Sequence, residues 1–207
     1  LPTEEFENSD YRANDGRRCY FCKQTLYSSI ALHRDRLGFR TIVNGTNCDD
    51  LGDYRPGLIA AEEHEVRSPL VEAGFHKQDV RQLAREWNIP IWDKPASPCL
   101  SSRVAYGVEV TPQRVERIDA GERFLRELLK VKELRVRLEA GELARIELPI
   151  EHLIQLTDPQ VRQQVVDYFL QLGFNCITLD LAGFRSGGFN SRLEQNDLVR
   201  LTTMPRQ

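Results

Sequence analysis

The sequence predicts an α/β fold in two parts: a partial layered domain with parallel strands over about residues 1–105, then a small α-β-β-α-β two-layer domain over 106–190, ahead of a polar tail at 191–207. Helix-like and strand-like periodicities alternate through the first half, the pattern of a layered α/β domain. After the proline-rich stretch 95–98 the order changes to helix, strand, strand, helix, strand. With 207 residues and 41% hydrophobic content, the chain can bury one core and a smaller second one.

Over residues 19–37 the apolar side chains Tyr20, Leu26, Tyr27, Ile30, Ala31 and Leu32 recur at helical spacing, and Gly38 ends the helix. Cys19 and Cys22 therefore sit at a helix N-terminus, where the positive end of the dipole favours thiolate, the form that binds metal. Residues 39–43 read as a short buried strand. It runs into the turn-rich loop 44–50, the kind of strand edge where open α/β sheets place ligands. A helix over 77–87 carries Val80, Leu83 and Ala84 on one face, and residues 89–92 close the unit, with Trp87 and Trp92 as core or loop anchors.

In the second part, Thr111 as N-cap and Pro112 at the first helical position open a long helix to about residue 130. Strands over 134–138 and 143–148 flank a Glu139-Ala140-Gly141-Glu142 turn. A helix bearing Val161, Val165, Val166, Phe169 and Leu170 stops at Gly173, and residues 176–181 form another strand. The tail after Gly187 is polar and reads as disordered.

No apolar stretch approaches the ~20 residues that span a bilayer. A net charge of −3 argues against wholesale binding to nucleic-acid phosphates. Five unevenly spaced cysteines argue against a disulfide framework and for thiols kept reduced in a cytoplasm. The only methionine is Met204, so the initiator is not represented and an upstream segment is expected.

Cys19 and Cys22, three residues apart, can grip one metal from a single turn of backbone. Cys99, from another segment, adds a third thiolate, and three thiolates hold an iron–sulfur cluster while leaving one iron free to carry exogenous sulfide. The same pair also reads as half of a structural zinc site, or as thiols that only pack. Cys48 and Cys176 read as packing residues. Arg135 and Arg137 alternate along a strand and share one face, where two guanidiniums pair with glutamates or bind an anion. Arg185 lies between glycines that permit close approach. Ser101, Ser102 and Arg103 read as a cap or as substrate contacts, and Glu122 and Glu147 by themselves read as solvated surface. His33, His64, His76 and His152 lack ligand spacing.

Five motifs occur in order: Arg18-Cys19-Tyr20-Phe21-Cys22-Lys23; Asn44-Gly45-Thr46-Asn47 with Asp50; Asp53-Tyr54-Arg55-Pro56-Gly57; Pro95-Ala96-Ser97-Pro98-Cys99-Leu100-Ser101-Ser102-Arg103; and Arg135-Val136-Arg137 with Arg145-Ile146-Glu147-Leu148-Pro149. Together, from about residue 11 to 190, they resemble the LarE family, ATP-dependent sulfur transferases that make the nickel-pincer nucleotide cofactor of lactate racemase. The resemblance implies an ATP-pyrophosphatase-like first domain, ATP as co-substrate, and Gly45, Asn47, Asp50 and Arg55 at the nucleotide. It implies pyridinium-3,5-biscarboxylic acid mononucleotide as substrate, its carboxylates activated as acyl-adenylates and then captured by sulfur. A carboxylate is a poor electrophile, so AMP serves as leaving group.

Some family members sacrifice the sulfur of one cysteine and keep dehydroalanine, whereas three-cysteine members resemble enzymes whose [4Fe–4S] cluster presents a hydrosulfide. This chain has the three-cysteine pattern, which implies Cys19, Cys22 and Cys99 as catalytic ligands. The resemblance further places Ser102 and Arg103 beside the reacting carboxylates and Arg135 and Arg137 at the substrate phosphate, with Arg185 as a third candidate there; Lys23, next to the cysteine pair, reads as neutralising a substrate carboxylate or as surface. Glu122 and Glu147 match ligands of Mg2+ or another divalent metal, with Gln155 where a third acid is expected. A homo-oligomer, a pathway carboxylase and a nickel-inserting enzyme are the implied partners, with no nucleic acid and no membrane.

The family's Ser-Gly-Gly-x-Asp-Ser loop, whose backbone amides would cradle pyrophosphate, is absent and is expected upstream of Leu1. Two other functions stay open at this point, tRNA thiolation and a non-catalytic metal-stapled scaffold.

Overall fold

The computed structural model describes residues 1–52, 55–94 and 98–185. The chain divides into two units, Leu1–Tyr11 with Asp15–Ser97, and Arg12–Asn14 with Pro98 onward. Asp53 and Tyr54 of one motif, Pro95-Ala96-Ser97 of another and the polar tail after Gly187 lie outside the described residues. No helix among the described residues is long and apolar enough to cross a membrane.

The first unit is helical. A short helix α1 (Ser9–Ala13) precedes α2 (Arg18–Leu37), which ends at Gly38 in the left-handed region as the sequence predicts. The core of this unit is small. Tyr27 of α2 packs on Ala60 and Ala61 of α3 (Pro56–Glu63), and Tyr20, Leu26, Ile30, Ile42 and Val66 surround them. Helix α3 is not among the elements the sequence predicts; Pro56 at its first turn is the start signal that betrays it. Two further helices follow, α4 (Pro69–Glu72) and α5 (Lys77–Glu86).

Two expectations for this unit need correcting. Residues 39–43 are not a buried strand: a single parallel bridge joins Val43 to Arg67, and Phe39 and Val43 are 64% and 58% exposed. Parallel pairing persists when helices or further strands cover both faces, and here the pairing stops after one rung. Trp87 is not a core anchor either, being 69% exposed at the end of α5, while the ring of Trp92 carries the Arg85 guanidinium 5.1 Å from its centroid.

The second unit follows the predicted α-β-β-α-β order: α6 (Pro112–Leu129), β1 (Arg135–Glu139), β2 (Leu143–Glu147), α7 (Pro159–Gln171) and β3 (Cys176–Leu179). The Thr111 hydroxyl caps α6 by accepting from the Arg114 amide, and Asp158 caps α7 by accepting from Gln160 and Val161. The sheet has the order β1-β2-β3, antiparallel between β1 and β2 and parallel between β2 and β3. Arg135 lies opposite Glu147, and Arg137 opposite Arg145.

Ile118 and Leu125 of α6, Val136 and Leu138 of β1, Ile146 of β2, and Phe169 and Phe174 are all but fully buried. This is the larger of the two cores. Cys176, read from sequence as a packing thiol, is exposed, because it is the first residue of an edge strand.

Asn14 joins this unit through its amide, whose nitrogen donates to the carbonyls of Ala105 (2.7 Å), Val108 (2.9 Å) and Val104 (3.3 Å). The residue is completely buried. Asn14→Ala strands several carbonyls in an apolar setting, and a stability loss of about 1–3 kcal/mol is expected in urea unfolding; an unchanged midpoint would refute the stapling role.

Candidate active site

A one-turn 3₁₀ helix, Leu100–Arg103, carries Cys99 at its start, and its carbonyls are gripped by two arginines. Arg103 Nη1 donates to the Cys99 carbonyl at 2.9 Å and also reaches the Pro98 carbonyl. Its Nε donates to Glu122 Oε1 on α6 at 3.0 Å, and both side chains are buried. Arg137 Nη1 donates to the Ser102 carbonyl at 2.9 Å, while its Nε and Nη2 straddle the two oxygens of Glu147 at 3.1 and 3.2 Å. The Ser102 amide and hydroxyl both donate to the Cys99 carbonyl, at 3.0 and 2.6 Å. Cys99 itself is exposed on a backbone held from several sides.

Glu122 and Glu147 are anything but solvated surface. Glu122 also accepts from Arg126 (2.6 Å) and from the Val136 amide (3.2 Å), and Glu147 accepts from Arg145 (2.7 Å). Arg145 in turn binds Glu139 and Asp180. Burial alone would depress the Arg145 guanidinium, and hydrogen bonds and charge from Glu139 and Glu147 raise it instead. Both candidate metal carboxylates thus face guanidiniums. Gln155, at the expected third acid, contacts His152.

Arg135 is different. It is only 6% exposed, and among the described residues its guanidinium meets no carboxylate; it lies over the Phe184 ring at 4.9 Å. Its pKa is pushed down first by burial and then by the charges of Arg137 and Arg103, with Glu147 and Glu122 opposing. A buried, still protonated guanidinium beside two others is a receptor for an anion. Phe184 is set by Gly183, which has φ +73; a Cβ there would stand 2.9 Å from Ile150 Cγ1 and 3.0 Å from the Leu148 carbonyl. The sequence reading missed Phe184. Its signal was the aromatic between Gly183 and Arg185, the latter being exposed.

In the first unit, Cys19 and Cys22 occupy the first turn of α2, Cys19 exposed and Cys22 half-buried. The Lys23 stem packs against Gly57 of α3, where a Cβ would sit 3.0 Å from Lys23 Cγ, and its ammonium lies 5.9 Å from the Tyr27 ring centroid. Gly57 therefore lets α3 press on the turn that carries both cysteines. The loop 44–50 is organised by its own polar side chains: Asn44 accepts from the Thr46 amide and the Ser68 hydroxyl, Asp50 accepts from the Asn47 amide, and Arg55 pairs with Asp50 at 2.9 Å. Gly45 is exposed within it. Among the described residues no three His, Cys, Asp or Glu side chains are grouped so as to hold a metal.

The α/β scaffold carries exposed Cys19 and Cys99 and, in the second unit, the buried Arg135. No protein-family model matches the chain. An uncharacterized protein of Synechocystis sp. is 44% identical over 190 residues, covering 92% of this chain and 70% of that protein. Pyridinium-3,5-bisthiocarboxylic acid mononucleotide synthase of Lactiplantibacillus plantarum is 40% identical over 181 residues, 87% of this chain and 64% of the synthase. An uncharacterized protein of Methanocaldococcus jannaschii is 31% identical over 173 residues, 84% of this chain and 66% of that protein. The chain spans about two thirds of the length of the curated relatives it matches. It belongs to the LarE family.

Asp49 ties the loop to α5 by accepting from the Lys77 amide and bonding His76 Nδ1, each at 2.7 Å. The hydrogen bond and charge of Asp49 raise the His76 pKa, and the His76 and Lys77 hydrogen bonds lower that of Asp49. The pair attracts only between these two values: it is lost as pH falls through the depressed Asp49 value and as pH rises through the raised His76 value. In an NMR titration His76 is expected to titrate above its ordinary position, and Asp49→Asn should return it to about 6.5. No shift between the two proteins would contradict the pairing.

Proposed function

We propose that this chain carries the sulfur-donating and substrate-phosphate parts of an ATP-dependent sulfur transferase. The reaction converts the carboxylates of pyridinium-3,5-biscarboxylic acid mononucleotide to thiocarboxylates. The observation that carries the reading is Arg135, a buried guanidinium that meets no carboxylate among the described residues, flanked by the two arginines that grip the Cys99 turn. The name of the L. plantarum relative, a synthase of the bisthiocarboxylic acid mononucleotide, supports the substrate class.

In this reading a carboxylate oxygen of the substrate attacks the α-phosphorus of ATP and pyrophosphate leaves. The acyl-adenylate carbon then takes a sulfur nucleophile, its bond to the phosphate oxygen breaks, and AMP departs with the electron pair. Arg135, with Arg137 on the same strand and Arg185 next to Phe184, holds the nucleotide phosphate of the substrate. Ser102 and Arg103 border the thiol that the turn presents. Asn47, Asp50, Arg55 and Gly45 form the loop that meets ATP, and Lys23 offsets substrate carboxylate charge.

Cys19, Cys22 and Cys99 supply three sulfur atoms, a donor set that suits an iron–sulfur cluster. When bound, a [4Fe–4S] cluster on these three residues would supply the sulfur in renewable form. Glu122 and Glu147 do not suit a divalent metal as they stand, because their oxygens already accept from guanidiniums. We read them as counter-ions. A homo-oligomer acting between a carboxylase and a nickel-inserting enzyme completes the proposal.

Anaerobic reconstitution of the chain with iron and sulfide is expected to load about one cluster, and Cys99→Ala should lose most of the bound iron. Zinc uptake with no iron bound would sink the cluster reading. Separately, Arg135→Ala is expected to weaken binding of the pyridinium mononucleotide roughly 10-fold or more in calorimetric titration, as loss of a charge-assisted hydrogen bond requires. Binding of the dephosphorylated nucleoside should not change; an equal loss for both ligands would remove Arg135 from the phosphate.

A further inference from the structure

We propose that Glu122 is a positioning residue that acts through Arg103 to fix the backbone carrying the Cys99 thiol. The proposal rests on the reading of Cys99 as the reacting or ligating cysteine only for its functional meaning; the clamp itself is a matter of geometry. Glu122 Oε1 accepts from Arg103 Nε and from the Val136 amide, so the carboxylate is tied at once to β1 and to the turn. Oε2 accepts from Arg126 one turn further along α6. With both oxygens engaged, the carboxylate has one orientation, and Arg103 inherits it.

The far end of Arg103 then does what a carboxylate-anchored fork is suited to do. Nη1 meets the Pro98 and Cys99 carbonyls, the two peptide oxygens that flank the Cα of Cys99. Fixing both sets the direction of the bond from Cα to the thiol-bearing carbon, while the thiol remains exposed to its partners. Arg103 is 4% exposed and Glu122 1% exposed, so water does not compete for these bonds. An arginine serving only as a substrate contact would not need both of its faces occupied by protein oxygens. Glu122 is thus assigned by its partners to the thiol, at a distance of one residue.

The test is amide hydrogen exchange on the full chain, comparing wild type with Glu122→Gln, Arg103→Lys, their double variant and the control Glu142→Gln. Glu142 also serves two arginines, Arg114 and Arg117, elsewhere in the same unit, so its loss measures general loosening. Exchange of the Ser102 and Val104 amides, which donate to the Cys99 and Ser101 carbonyls, is expected to accelerate about 10-fold or more in both single variants. The double variant should be no faster than the worse single, because the two residues act as one unit. Glu142→Gln should leave these amides unchanged.

A second reading, on the same variants without metal, is the rate of iodoacetamide alkylation at Cys99 relative to exposed Cys176 in the same molecule. Freeing the turn, and in Glu122→Gln also unmasking the Arg103 charge, should raise this ratio about 3-fold or more, whereas a purely structural weakening moves both thiols together. Equal acceleration in Glu142→Gln, additive effects in the double variant, or an unchanged ratio would overturn the proposal. Arg103→Lys keeps the buried charge and tests the clamp even if Glu122→Gln does not fold. Neither measurement needs turnover, so failure of the sulfur-transfer reading would show in iron loading and substrate binding and not here.

Discussion

Two buried carboxylates, Glu122 and Glu147, hold two buried arginines, and those arginines hold the carbonyls of the turn that presents Cys99. Burying an ion pair costs several kcal/mol of desolvation per ion, a cost met only where geometry is good and the remaining donors and acceptors are satisfied. Here they are: each carboxylate accepts from more than one partner, and each guanidinium divides its donors between a carboxylate and backbone oxygens. The pairs therefore contribute little as glue and much as direction. Replacing them with apolar side chains of similar volume could leave the fold as stable, yet nothing would then aim the turn.

The same pairing explains why Arg135 is available. Arg103 and Arg137 lie close enough to add to the burial that depresses the proton affinity of Arg135, and the two nearby carboxylates are taken by Arg103 and Arg137. Arg135 keeps a ring face, Phe184, as its neighbour. A cation over an aromatic ring is held without being neutralised, which leaves its charge for the phosphate proposed above. Gly183 makes this possible by bringing backbone to within a Cβ's width of Leu148 and Ile150.

The first unit depends on different physics. Its core is little more than Tyr27 against two alanines, so helix α2 is positioned by close approach and polar turns more than by a large buried surface. Gly57 against the Lys23 stem brings α3 onto the cysteine-bearing turn, and the loop 44–50 is shaped by Asn44, Asn47 and Asp50 bonding their own backbone. Such loops keep a shape without a core beneath them.

What the sequence alone determined is local. Helix α2 with both cysteines in its first turn, the Thr111-Pro112 start of α6, the β1–β2 hairpin and the helix ending before Gly173 were all legible, because periodicity, caps and turns act within a few residues. The strand at 39–43 was misread because an apolar run does not say whether a neighbour exists to extend its ladder. Only the tertiary structure decided that Glu122 and Glu147 are counter-ions inside the protein, that Arg103 reaches back to the carbonyls beside Cys99, and that Arg135 meets no carboxylate among the described residues. Those partnerships join residues on separate elements, Arg103 with Glu122 at a separation of 19 and Arg137 with Ser102 at 35. Charge and spacing in a sequence do not specify which oxygen each guanidinium meets; register and packing do.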